Sequence, residues 1–463
     1  MKFTPEPYQE TMLEWADPRH IFAYFVSPGM GKTGVSLSVI DNLITSGRSK
    51  GVFLIAPLRV CKITWPEESR KWDHSSWLKV VSLRTPEGLQ AWEDGSADVY
   101  LINREMLASY AIRRKDKKPT RRIGMMEKLF KGRKTLPVDT FLWDELSQCK
   151  DPSSKSFKSV KPFLDMFTQR IGLTGTPVPN NYLDLYGQVY LLDLGARLGE
   201  TFTEYKRRYF TSDYMGYSWE LKAGAKEEID KRLSDICLSL SSEDHMVLPT
   251  CSHIEIACPL GKGAKDYKEM QKELLLELER TDVVATNAAV LVGKLLQITG
   301  GAVYDEDRNV HVIHDEKIKA LKKLRKKHGK EPMLILTAFR HEMDRVLEAI
   351  PGAEKFDEDR LDDWRSGKIQ TWVSNPKSLS HGIDGLQKGG RIAVWYTPTH
   401  SQEEFVQTNA RLVRKGQTCE TLIYMLVCKD TVDEAAIEAL RSKEATQSGL
   451  LKTLKNIQTL AKP

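Results

Sequence analysis

The chain has 463 residues and a formal net charge of +6, enough for two or three domains that each bury a core of their own. No apolar run approaches the roughly 18 residues of a membrane-spanning helix. The seven cysteines, odd in number and without a Cys-x-x-Cys pair, argue for reduced thiols in a cytosolic or nuclear protein with no zinc site. Charge is unevenly spread: residues 111–134 carry eleven Lys/Arg against two acids, and residues 317–330 carry eight against none. Two basic islands on an otherwise acidic chain point to a local polyanion-binding surface.

In chain order, apolar β-rich runs at Phe22–Val26, Val52–Ala56, Val99–Ile102, Thr140–Trp143 and Arg170–Leu173 punctuate the first 195 residues. Helix-like segments separate most of them, the rhythm of a parallel α/β sheet. Segment 111–134, with Pro119, Gly124 and Gly132, reads as a basic loop or short helices. Residues 196–289 read as mostly helical. A second strand series follows at Met333–Leu336, Ile369–Val373, Ile392–Trp395 and Thr421–Leu426. Within 317–330, Ile318, Leu321 and Leu324 recur every third residue, so an amphipathic helix with a charged outer face is expected. The tail from about 430 to 463 reads as helical. The start, Met1-Lys2-Phe3-Thr4-Pro5, lacks the apolar region of a signal peptide.

Three distant stretches look like parts of one ATP site. Ser27-Pro28-Gly29-Met30-Gly31-Lys32-Thr33 follows an apolar strand and precedes a helical pattern, the context a phosphate loop requires. Gly29 and Gly31 let backbone N–H groups face phosphate, and the helix N-terminus adds a favourable dipole. Lys32 would reach the β and γ phosphates, and the Thr33 hydroxyl would ligate Mg²⁺. The general Gly-x4-Gly-Lys-Thr pattern has Val26 at its first glycine here. Asp144 and Glu145 end the run Phe141-Leu142-Trp143. Asp144 at a strand end can hold Mg²⁺, and Glu145 can orient or deprotonate the attacking water. Gln407, Arg411 and Arg414 share a helical face by spacing. The arginines could neutralise charge on a transferring γ phosphate. Lys32 and Arg414 lie 382 residues apart, so two lobes must supply the site.

The combination resembles the Swi/Snf-like translocases of the superfamily 2 helicases. Pro7-Tyr8-Gln9 with Trp15 is similar to the family's opening motif, and Leu54-Ile55-Ala56-Pro57-Leu58-Arg59-Val60 followed by Trp65 to its motif Ia. Leu173-Thr174-Gly175-Thr176-Pro177-Val178-Pro179-Asn180-Asn181 is close to the Swi/Snf form of motif III. Ser380-His381-Gly382-Ile383-Asp384 resembles motif V, and Arg411–Gln417 motif VI. The family's loop usually carries acids where Ser27-Pro28 stand, and a glycine where His381 stands. The compact length, with Gln297–Tyr304 opening the second lobe, looks most like stand-alone bacterial or phage members.

The resemblance implies two RecA-like parallel-sheet lobes in tandem, 1–195 and 290–463, with a mostly helical insertion at 196–289. It implies ATP and Mg²⁺ as cofactors, with Gln9, Gly29, Met30, Gly31, Lys32, Thr33, Gly34 and Asp384 around the nucleotide. Gln9 would read adenine and Asp384 would lie near the ribose. Thr174, Gly175 and Thr176 would couple the ATP site to a DNA track lined by Arg59, Asn103, Arg104, Arg340, Lys377 and Ser378. Segment 111–134 would add a further grip on DNA. The expected activity is ATP-driven movement on double-stranded DNA by a monomer in a bacterial or phage-infected cytoplasm, or a nucleus in a eukaryote. Branched or single-stranded DNA and replication, recombination or transcription proteins are expected partners. The alternatives are a strand-separating DNA or RNA helicase and an ATP-gated DNA-binding scaffold.

Overall fold

The protein is described here from a computed structural model, which covers all residues except 109, 115–116, 123, 176–181, 213–218, 280–284, 380–382, 400 and 442–463; for 110–114, 117–122, 274–279 and 285–289 the backbone alone is described. The chain divides into two compact units, Met1–Met246 and Val247–Pro463.

The first unit is built on strands β1 (Ile21–Val26), β2 (Val52–Ala56), β3 (Val80–Ser82), β4 (Val99–Asn103), β7 (Thr140–Asp144), β8 (Gln169–Thr174) and β11 (Cys237–Leu240). Their order across the sheet is β11-β1-β8-β7-β2-β4-β3, and every pairing is parallel. Helices cover both faces of such a sheet, so its central strands read as unbroken apolar runs. Phe53, Ile55, Tyr100, Ile102, Phe141 and Trp143 feed the core on one face. Val52, Leu54, Val99, Leu101, Leu142 and Leu173 feed the other. Two antiparallel hairpins stand outside this sheet: β5 (Tyr110–Arg114) with β6 (Lys117–Arg122), and β9 (Phe210–Ser212) with β10 (Trp219–Leu221). The first corrects the expectation of a loop over its own span, while a short helix at Met125–Phe130 agrees with the short helices expected further along the segment. Ile112 pairs with Thr120 in the hairpin backbone, with a register shift before Arg114.

The second unit carries β12 (Cys251–Cys258), β15 (Met333–Leu336), β16 (Ala353–Lys355), β17 (Thr371–Ser374), β18 (Ile392–Trp395) and β19 (Thr421–Cys428), in the order β12-β19-β18-β15-β17-β16. This sheet is also wholly parallel. A small hairpin, β13 (Ala302–Tyr304) with β14 (Val310–Val312), lies apart from it. Trp364 stacks on Trp372 at 4.8 Å in the core of one face. Residues 196–289 contribute helices such as Phe202–Tyr209 and Ala225–Leu233, and also β11 and β12, which edge the first and second sheets respectively. Both lobes are RecA-like. Among the described residues, no helix is long and apolar enough to cross a membrane.

The amphipathic helix expected near 317–330 spans Glu316–His328 and buries Ile318, Leu321 and Leu324. Lys317 departs from the charged outer face: its side chain is fully buried and meets Asp433, equally buried, at 2.7 Å. Asp433 also accepts from Thr299 Oγ1 at 2.7 Å and from the Cys428 backbone N–H at 3.0 Å. Burial alone would lower the Lys317 pKa, but Asp433, by charge and hydrogen bond, together with Cys428 and Glu342, raises it. Asp433→Ala leaves a cation buried without its counter-charge and is expected to lower stability by about 3–5 kcal/mol. Urea unfolding followed by circular dichroism measures this; a loss under about 1 kcal/mol would mean the pair behaves as a solvated one.

Candidate functional site: a phosphate loop, an acidic strand end and an arginine pair

β1 delivers the chain to Ser27, and the helix Lys32–Thr45 begins four residues after it passes Pro28. Between them Gly29 and Gly31 adopt φ of 84° and 75°. Those left-handed angles turn the backbone back on itself and favour glycine. Gly31 is the N-cap of the helix. A Cβ on it would come within 2.4 Å of Gln9 Nε2. The buried Gln9 donates through that nitrogen to the Met30 carbonyl at 3.1 Å and accepts from the Glu6 N–H at 2.9 Å, so its amide braces the loop from outside. Lys32 Nζ crosses the loop to the carbonyls of Val26 and Ser27 at 2.6 and 3.3 Å. Gly34 lies one turn further on, where a Cβ would meet Phe3 Cε2 at 3.1 Å. Gly31→Ala combines a left-handed angle with a clash, and a strain of this size should weaken nucleotide binding about tenfold or more. Titration with a fluorescent ATP analogue checks it.

The turn of the loop therefore depends on two glycines at left-handed angles, one of them pressed against Gln9. The hard oxygens of the Thr33 hydroxyl and the Asp144 carboxylate suit Mg²⁺. These residues fit ATP and its metal.

Register places the other chemistry on the same edge. Phe25 of β1 sits opposite Thr174 of β8. Leu173 of β8 sits opposite Asp144 of β7. Asp144 is buried; its Oδ2 accepts from Trp65 Nε1 at 2.9 Å and its Oδ1 from the Glu145 N–H at 3.0 Å. Glu145 itself holds a φ of 59°, an unusual angle for a non-glycine residue. Its carbonyl accepts from the Gln148 N–H at 2.9 Å. Thr174 and Gly175 are buried at the end of β8; Thr176 lies outside the described residues.

In the second unit the expected helical face is corrected. The helix Gln402–Asn409 stops before the arginines, and Arg411 and Arg414 occupy the turns that follow. They still converge: Nη1 of each donates to the Ile383 carbonyl, at 3.1 and 3.4 Å. Arg414 also pairs with Asp384 at 3.3 Å. Burial pushes the Asp384 carboxyl upward, but Arg414 and the Gln387 amide hold it below its ordinary pKa. Gln407 is buried and donates to Glu403 at 3.3 Å.

Gln387, which sequence reading missed, ties this cluster together. It donates to Asp384 Oδ1 and the Lys415 carbonyl, both at 3.3 Å, and accepts from the Gly385 N–H at 3.1 Å. Gln417 returns with bonds to the carbonyls of Gln387 and Gly390, each 3.1 Å. A lone Gln between motifs carries no sequence signal; the turn Gly385-Leu386-Gln387 before a strand was the only hint.

The residues expected to face DNA also group by strand end. Arg59 follows β2 and Asn103 ends β4, whose neighbour is Ala56. Asn103 is buried, accepting from Arg84 Nη1 at 2.6 Å and donating to Glu105 at 2.5 Å. Arg84 was not singled out in the sequence. Arg104 is partly exposed and reaches the Gln148 carbonyl at 3.4 Å. In the second unit Arg340 is 89% exposed and only 3.9 Å from Asp344. It shares an open concavity with Tyr304, Arg308 and His341. Asn375 staples its loop to that of Lys377 and Ser378: Nδ2 donates to the carbonyls of Thr337 and Ala338, both 3.2 Å, while Oδ1 takes the Lys377 N–H at 3.0 Å.

Two RecA-like parallel-sheet lobes, with a Gly-Lys-Thr turn and an acidic strand end on one edge of the first sheet, suit a helicase-like ATP-hydrolysing enzyme. The SNF2-related domain family model matches residues 25–299, and the chain belongs to that family. It is 32% identical over 475 aligned positions to protein p41 of Acyrthosiphon pisum secondary endosymbiont phage 1, covering 98% of this chain and 99% of that protein. Among solved structures it is similar to the Sulfolobus solfataricus SWI2/SNF2 ATPase core in complex with dsDNA, with 20% identity, a TM-score of 0.45, and 98% and 95% of the two chains covered. The Sulfolobus solfataricus SWI2/SNF2 ATPase core domain is similar at 20% identity and a TM-score of 0.43, covering 95% of this chain and 89% of that one.

Proposed function

We propose that this enzyme is a double-stranded DNA translocase of Swi/Snf type, which turns ATP hydrolysis into movement along duplex and remodels protein–DNA or branched DNA complexes. One observation carries the reading. Along a single sheet edge, the ends of β1, β8 and β7 present the phosphate loop, Thr174 and Asp144/Glu145, and the adjoining ends of β2 and β4 lead into Arg59 and Arg104. The residues proposed for nucleotide and for polyanion contact thus follow neighbouring strand ends of one sheet, and SNF2-related family membership supports the same reading.

In this proposal the loop amides and Lys32 bind the phosphates, and Thr33 and Asp144 hold Mg²⁺. Bound Mg²⁺ would neutralise charge on the phosphate oxygens. Gln9 reads adenine, and Asp384 lies near the ribose. Glu145 takes a proton from the attacking water, and Arg411 and Arg414 stabilise the transferring phosphoryl group. Thr174, Gly175 and Thr176 pass the change of state to Arg59, Asn103, Arg104, Arg340, Lys377 and Ser378. Backbone contacts by such groups bind sequence-independently and weaken with salt.

The test is ATP hydrolysis without nucleic acid, then with duplex DNA, single-stranded DNA and RNA, at two salt concentrations. Strong stimulation by duplex that falls with salt is expected. Preferential stimulation by single strands or RNA would make the enzyme a strand-separating helicase, and ATP-dependent DNA binding with negligible turnover would make it a scaffold.

A further inference from the structure

The segment after β2, proposed above to face DNA, and the carboxylate ending β7 are joined by a further device. β2 ends at Ala56, and Pro57-Leu58-Arg59 follow, with Leu58 exposed. The next five residues, Val60–Thr64, form a π-helical turn. Its closing bond runs from the Trp65 N–H to the Val60 carbonyl. A π turn inserts one residue into helical geometry, and such turns concentrate at functional sites. An ordinary α-turn would carry residue 65 about 100° away around the axis. Here the extra residue delivers the Trp65 indole sideways onto Asp144, where Nε1 donates to Oδ2 at 2.9 Å. Both residues are buried, Trp65 at 1% and Asp144 at 8% exposure. Cys61, inside the same turn, donates to the Ala56 carbonyl at 3.4 Å. Burial pushes its thiol up to about 12, so it stands beside the site uncharged.

We propose that Trp65 is a positioning residue for Asp144, and that the π turn makes the orientation of this carboxylate respond to what contacts the helical start at Leu58–Arg59. The inference rests on the function proposed above. The Trp65 N–H on Oδ2, together with the Glu145 N–H on Oδ1, sets the rotation of the carboxylate plane and hence the direction of its remaining lone pairs. Leu58, Arg59 and Trp65 belong to one continuous helical segment with no intervening coil. A shift of its first turn on binding a phosphate backbone therefore turns Trp65 with it.

Trp65→Phe keeps an aromatic ring in the core and removes the N–H. Wild type and variant are compared for ATP hydrolysis across a Mg²⁺ titration, with and without duplex DNA. The expected result is an apparent Mg²⁺ requirement raised about tenfold and a smaller stimulation by duplex, the loss anticipated for one hydrogen bond to a charged group. Nucleotide affinity measured without Mg²⁺ should stay the same. A second readout follows the Trp65 indole N–H by ¹H–¹⁵N NMR in the wild-type protein, assigned by its absence in Trp65→Phe or, if that variant does not fold, by its shift in Asp144→Asn. Duplex DNA added without nucleotide should move this resonance. An unchanged Mg²⁺ profile in a folded Trp65→Phe would overturn the positioning role, and a resonance indifferent to duplex would overturn the coupling. Absence of any ATP hydrolysis by the wild-type chain would instead strike the function itself.

Discussion

Glu145→Gln should retain nucleotide binding while ATP turnover falls by about 10²–10⁴-fold, the range for losing a positioned general base. Gln preserves the volume of the side chain and removes its charge and its capacity to accept a proton. Two bonds of its own backbone groups accompany the left-handed angle at residue 145: the Glu145 N–H to the Asp144 side-chain Oδ1 at 3.0 Å, and the Gln148 N–H to the Glu145 carbonyl at 2.9 Å. Neither bond uses the Glu145 side chain. Single-turnover hydrolysis beside a fluorescent-nucleotide titration separates the two effects. Turnover near the wild-type rate would assign the base to another residue.

Arg414→Ala is the second large effect, a loss of about 10³-fold or more in turnover if the guanidinium stabilises the transferring phosphoryl group. Arg414 also pairs with Asp384, so part of any loss could come from releasing that carboxylate. Asp384→Asn removes the pair's charge and leaves the arginine, and it should cost far less. Arg414→Lys should remain strongly impaired, since a point charge does not reproduce a planar fork. Equal turnover in Arg414→Ala and wild type would sink the arginine's catalytic role. The convergence of Arg411 and Arg414 on one carbonyl makes a further point: each restrains the other, so the double variant should cost less than the product of the two single losses.

The chemistry-bearing stretches were legible because their geometry is local. A strand, two glycines, Lys-Thr and a helix make a phosphate loop wherever they fold, and the angles of Gly29 and Gly31 follow from the absence of a Cβ. Asp144-Glu145 was readable because a carboxylate pair directly after an apolar run must sit at a strand end. Spacing misled at Gln407, Arg411 and Arg414: the helix ends at Asn409, and a turn rather than a shared face brings the guanidiniums together. The basic run at 111–134 spoke of charge but not of conformation, because long cationic side chains suit a hairpin as well as a loop.

The sequence alone determined the class of this protein, through short motifs whose backbone demands are met within a few residues. Only the tertiary structure decided which distant groups complete them. Lys317 stands in a run of cations and would be assigned to solvent, yet it is buried because Asp433 and Thr299 arrive there from other elements. Trp65 stands out in the sequence only by following Val60 in a motif, which does not say what its indole touches. Its partner is chosen by the pairing of β2 with β7, which sets Ile55 beside Trp143 and so brings the following loop alongside Asp144. Side-chain hydrogen bonds between strand ends depend on sheet order, and sheet order is a property of the whole lobe's packing, which no window of sequence contains.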